Sequence, residues 1–175
     1  MNLGLIAVTT DGIKVAERIK EKLNGELIIF LPQKLKQSKL TATYYSKKLG
    51  DLVGEIFSVC DGLIFIMASG IVVRVIAPYI ENKHTDPAVV VVDDVGRFVV
   101  SLLSGHEGGA NKLAHKVANI LKTDAVITTG TEAKKDIIIG IGCKRGIGSA
   151  EVKEAIHNAL NDADVSVDRV RLAGT

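Results

Sequence analysis

Leu3-Gly4-Leu5-Ile6-Ala7-Val8, followed by Thr9-Thr10-Asp11-Gly12 and then by Val15, Ile19 and Leu23, sets the architecture of the chain. The apolar run predicts a buried strand. The recurrence of apolar residues at every fourth position predicts a helix with one face on a core, capped by Thr10 or Asp11 and stopped at Asn24-Gly25. A second apolar run, Glu26–Leu31, closes at Pro32. Strand, helix, strand in succession requires a parallel pair, because a crossover of helix length returns the chain to the same end of the sheet. The unit recurs downstream. Leu49, Leu52, Val53 and Ile56 form a helical face, Leu63–Met67 a strand, and Ser69-Gly70 opens a helix running toward Pro78. Ala88–Val92 is a strand, Asp93-Asp94-Val95-Gly96 a hairpin turn, and Arg97–Leu103 its antiparallel return. Leu113, Val117, Ile120 and Leu121 mark another helix before a short strand, Ala125–Thr128. The stretch Gln33–Ser46 is polar and Lys-rich and reads as an exposed loop.

The expected fold is α/β: a layered, Rossmann-like, mostly parallel sheet with flanking helices, plus a short β-α-β C-terminal unit. The boundaries follow the pattern, with residues 1–130 as the first domain, 131–136 as a linker and 137–175 as the small unit. In that unit Ile137–Ile141 starts a strand, Ser149 caps a helix carrying Val152, Ile156 and Leu160, and Val165–Val170 is the last strand. Composition agrees, since Val and Ile together supply 39 of 175 residues and suit buried strands.

The net charge of +2 gives no concentrated basic face, so no nucleic-acid partner is expected. Lys34, Lys36 and Lys39 read as a solvated cluster. No apolar run reaches the ~20 residues a bilayer requires, so no membrane span is expected. The N-terminus enters a strand with no basic leader, which makes the cytoplasm the expected location. Cys60 and Cys143 are too few for a disulfide framework. His84, Asp86, Asp93 and Asp94 match no standard metal spacing, and no metal site is expected. His115 and His157 fall in helical stretches and read as surface positions.

Three glycine-containing loops follow strands, where ligands gather at the carboxyl ends of an open α/β sheet. In Met67-Ala68-Ser69-Gly70, Ser69 is a helix cap, an anion-binding hydroxyl or a nucleophile, the last weakly supported because the nucleophile elbow G-x-S-x-G is absent. Ser104-Gly105-His106-Glu107-Gly108-Gly109-Ala110-Asn111 is denser in chemistry. Its glycines let backbone N–H groups approach a ligand, His106 is a candidate general base, and Glu107 is placed to assist it. Gly140–Gly148 resembles the dinucleotide fingerprint, but Arg145 stands where its third glycine belongs. Lys144 and Arg145 there are candidate carboxylate or phosphate partners.

Gly62–Arg74, Lys83–Asp93, Ser101–Asn111 and Gly140–Gly146 together resemble, in order, the cobalamin biosynthesis CbiG family. The resemblance implies cobalt-precorrin-5A hydrolase activity: opening of a δ-lactone on a cobalt-containing tetrapyrrole in anaerobic vitamin B12 biosynthesis, with loss of acetaldehyde to give cobalt-precorrin-5B. The cobalt belongs to the substrate, so no cofactor is expected. A substrate rich in carboxylates calls for cations, and Arg74, Lys83, Arg97, Lys144 and Arg145 are the candidates, with Ser69, Gly70, Ser104, Gly105, Gly108, Gly109 and Asn111 as polar and backbone contacts. His106 with Glu107 would activate water, and N–H groups near Gly105, Gly108-Gly109 or Ser69-Gly70 would hold the oxyanion. A homodimer, or association with other enzymes of the pathway, is the protein partnership to be considered. Family members have a longer region after Val126-Ile127-Thr128-Thr129 and a longer C-terminal domain, so a shortened or split member is expected. The alternatives are a non-catalytic corrinoid or tetrapyrrole-binding module and an NAD(P)-binding domain.

Overall fold

The computed structural model describes residues 1–36 and 40–174. Lys39 of the basic cluster lies outside them. The chain forms two compact units, Met1–Ile127 and Thr128–Thr175.

In the first unit β1 (Asn2–Ala7) leads through Thr9 into α1 (Thr10–Lys22). Thr9, not Thr10 or Asp11, is the cap. Its backbone is extended, its hydroxyl accepts the Gly12 N–H at 3.0 Å, and the same hydroxyl donates to Asp94 Oδ1 at 2.8 Å. The elements β2 (Glu26–Pro32), β3 (Thr43–Tyr45), α2 (Leu49–Ile56), β4 (Gly62–Ile66) and α3 (Ser69–Ile76) follow, with a 3-10 turn at Ala77–Tyr79. Then come β5 (Ala88–Val92), β6 (Phe98–Leu103), α4 (Ala110–Leu121) and β7 (Asp124–Val126).

The seven strands lie in the order β3-β2-β1-β4-β5-β6-β7. All neighbours are parallel except β5 and β6, joined by the hairpin. The mostly parallel α/β sheet expected from the sequence is therefore present. Side chains alternate between two cores. Ile64 and Ile66 face α1 and α4 with Leu5, Val90 and Val92; Leu63, Phe65 and Met67 face α2 and α3 with Ile6, Val89 and Val91. Phe65, Leu5, Leu63 and Ile64 are completely buried, each worth about 1.5–3 kcal/mol of transfer free energy.

The reading of Gln33–Ser46 as a loop needs correction. Thr43–Tyr45 adds an edge strand to β2, with Phe30 opposite Thr43 and Pro32 opposite Tyr45, because a β-branched residue and two tyrosines suit a half-buried pleat.

The second unit contains α5 (Gly130–Ala133), β8 (Ile137–Gly140), α6 (Ser149–Asp162) and β9 (Val170–Gly174). The pair β8-β9 is parallel. The last strand starts where Val165–Val170 was expected to end. The Ser166 hydroxyl accepts the Asp168 N–H at 3.2 Å and turns Val167–Arg169 into a 3-10 segment first. Ser149 is the first residue of α6 and Gly148 takes the cap position. No helix among the described residues is long and apolar enough to cross a membrane.

Candidate active site

The hairpin determines where the loops emerge. The strands β1, β4 and β5 end at one edge of the sheet, where Thr9, Ser69 and Asp93 follow them. Strand β6 runs the other way, and its last residue, Leu103, pairs with Val89 near the start of β5. Ser104–Gly109 therefore leaves from the edge where β4 and β5 begin. The expectation that all three loops gather at the carboxyl ends of parallel strands fails here, because an antiparallel strand delivers its loop to the opposite side. The length of a five-residue strand, about 17 Å, separates the two edges. Ser69 and Gly70 cannot hold an oxyanion formed beside His106.

At the edge where β5 begins, the loop folds onto itself. The Ala110 N–H donates to Ser104 O at 3.1 Å and the Asn111 N–H to Gly105 O at 2.9 Å. Ser104 sits at φ 56° and Gly109 at φ 86°. A Cβ on Gly108 would lie 2.4 Å from Ser104 Cβ and 2.9 Å from its carbonyl oxygen. The glycine at 108 thus serves the loop's contact with itself. Asn111 is buried and its Oδ1 accepts the Ser101 hydroxyl at 2.8 Å, which fastens the start of α4 to β6. The Ser104 hydroxyl oxygen is buried with no hydrogen-bond partner among the described residues.

Glu107 does not turn to His106. It reaches the loop that precedes β5, where His84 Nδ1 stands 2.7 Å from Oε2 and Lys83 Nζ 3.3 Å from Oε1. All three side chains are about half exposed or more. His84 was considered in the sequence only as a metal ligand. The missed signal is topological: a loop entering β5 and a loop leaving its antiparallel partner must share an edge. Beneath the Lys83-His84 loop, Asp86 is buried and both its oxygens accept the Glu81 N–H, at 3.1 and 3.2 Å. A cavity of about 360 Å³ opens beside it, lined by Gly54, Phe57, Tyr79, Glu81, Thr85 and Asp86.

The remaining candidates of the first unit lie elsewhere. Ser69 begins α3 without capping it, Ala68 being the cap residue, and Arg74 Nη1 donates back to Gly70 O at 3.2 Å. Arg97 sits at the edge where the parallel strands end, with Nε 3.4 Å from Asp93 Oδ2. Burial pushes the Asp93 carboxyl up, but the N–H groups of Phe98 and Arg97 and the Arg97 guanidinium outweigh it and hold it below its ordinary value. Lys144 and Arg145 belong to the β8–α6 loop of the second unit. That unit has an apolar groove of about 300 Å³ lined by Ile139, Ile141, Ile147, Val152 and Ile156. Within the first unit, only Lys83 and Ser104–Asn111 of the predicted set come together.

Residues 51–132 match the family described as Cobalamin synthesis G N-terminal. Over that segment the chain is similar to the CbiG family. The matched segment holds every residue of the Lys83-His84 loop and of the Gly-rich loop. Across 143 residues the chain is 36% identical to the cobalt-precorrin-5A hydrolase of Priestia megaterium, covering 81% of this chain and 38% of that protein. It is 39% identical over 134 residues to the enzyme of the same name from Salmonella typhimurium, covering 77% of this chain and 37% of the relative. The chain thus spans less than two-fifths of the length of these curated relatives. A crystal structure of a cobalamin biosynthesis protein G homolog from Sulfolobus solfataricus matches with a TM-score of 0.55 at 19% identity, over 97% of this chain and 72% of that one, and shares the fold.

Proposed function

We propose that the chain is a cobalt-precorrin-5A hydrolase acting in anaerobic cobalamin biosynthesis. The observation that carries this reading is the edge at the start of β5, where a basic loop and the Gly-rich loop of the family segment meet at Glu107. The similarity to two hydrolases of that name, at 36% and 39% identity, supports the substrate.

Water adds to the lactone carbonyl carbon, the ring C–O bond breaks, and the products are a carboxylate and a free hydroxyl. Loss of the hydroxyl proton then drives cleavage of the adjacent C–C bond. Its electron pair passes to the macrocycle carbon, and the two-carbon unit departs as acetaldehyde. The site has to stabilise a developing oxyanion and hold the substrate's carboxylates. The N–H groups of Gly108 and Gly109 are the donors for the oxyanion, since those of Ala110 and Asn111 are already spent on Ser104 and Gly105. Lys83 supplies positive charge to a substrate carboxylate. The test is incubation of the full chain with cobalt-precorrin-5A under anaerobic conditions, with acetaldehyde and the ring-opened corrinoid quantified. The expected result is one acetaldehyde for each substrate consumed. Tetrapyrrole binding without acetaldehyde would make the chain a corrinoid-holding module instead.

A further inference from the structure

We infer that His84, held by Glu107, is the general base of this site. The inference rests on the hydrolase reading above and names the residue that moves the proton. The two side chains come from the loop that enters β5 and the loop that leaves β6 at the same edge, and Nδ1 and Oε2 stand 2.7 Å apart. An ionised carboxylate only accepts hydrogen bonds, so in the neutral form of the ring this approach favours the proton on Nδ1. Nε2 of that neutral ring carries the lone pair on the side away from Glu107. Base plus orienting carboxylate is the arrangement that activates a weak nucleophile. Lys83 on the other carboxylate oxygen, at 3.3 Å, keeps Glu107 turned toward this loop. His106, in the adjoining loop, makes no such contact with Glu107.

In the lactone step His84 Nε2 takes one proton from water as its oxygen bonds to the carbonyl carbon. The imidazolium returns that proton to the ring oxygen as the C–O bond breaks, and the imidazole is regenerated. Glu107 acts through His84 and is a positioning residue.

H84Q should lower kcat about 10²- to 10⁴-fold with KM changed less than about threefold, the range expected for loss of general-base catalysis. E107A should lower kcat by less than H84Q, with E107Q, which keeps an acceptor for the Nδ1 proton, partly restoring it. Nitrogen-15 NMR of the unsubstituted chain at alkaline pH should show the His84 proton on Nδ1, moving in large part to Nε2 in E107A. H84Q turning over within threefold of the unsubstituted chain would overturn the role, as would an Nε2-protonated His84 in the unsubstituted chain. A loss confined to H106Q would likewise transfer the base to His106. No acetaldehyde from the unsubstituted chain would overturn the hydrolase reading and the catalytic role with it, whereas turnover with an Nε2-protonated His84 would overturn the role of His84 and leave the hydrolase reading standing.

Discussion

Gly108 shows how a single absent side chain shapes this site. The Cβ of an alanine there would meet Ser104 Cβ at 2.4 Å and the Ser104 carbonyl oxygen at 2.9 Å, and backbone cannot swing aside as the end of a long side chain does. G108A must therefore open the loop that carries Glu107. The expected cost is about 1–3 kcal/mol, read as a lower urea midpoint, together with weakened contact between Glu107 and His84. An unchanged midpoint would mean that the loop relaxes freely. Asp93 makes a second prediction at this scale. Its carboxyl lies below its ordinary value in the folded chain, so the stability it contributes is complete above the unfolded carboxylate value, about 4, and is lost as pH falls through the folded value. The urea midpoint of the unsubstituted chain should fall more steeply below about pH 4 than that of D93N. Parallel curves for the two proteins would remove Asp93 from the acid response.

At the scale of elements, capping and strand direction govern the outcome. Thr9 serves both α1, through the Gly12 N–H, and the hairpin, through Asp94. T9A should destabilise the first unit by about 1 kcal/mol or slightly more, measured by thermal or chemical unfolding. A change within error would show that water replaces both bonds. The strands and helices themselves were legible because hydrophobic periodicity is a local property: Leu63–Met67 and the Val15-Ile19-Leu23 stripe read correctly in isolation. Tyr44 and Tyr45 did not, since β3 exists only because β2 offers it an edge. The site was half legible for the same reason. Glycine and polar density singled out Ser104–Asn111, and the Asp93–Gly96 hairpin was recognised. Its consequence, that Ser69 and Ser104 leave opposite edges while His84 and Glu107 meet, follows from strand direction and not from motif content.

For the whole molecule the decisive contrast is in burial. The first unit has a core on each sheet face, whereas in the second, among the residues whose burial is described, Leu160 alone is buried. Val152 and Ile156, which share its helix face, remain half-buried, and Ile138 on β8 is 66% exposed. A two-stranded sheet with one long helix gains little from burial to set against the entropy of ordering its backbone. Cooperative opening of this unit should therefore cost far less than global unfolding of the first. Native-state hydrogen exchange should show the amides of β1, β4 and β5 exchanging slowest, with those of β8 and α6 exchanging orders of magnitude faster. L160A provides the complementary test. It removes a buried side chain, a change worth about 2–5 kcal/mol in a packed core, and should abolish the remaining protection in α6 while leaving that of β4 intact. Protection in α6 equal to that in β4, or loss of both together in L160A, would show that the two units unfold as one.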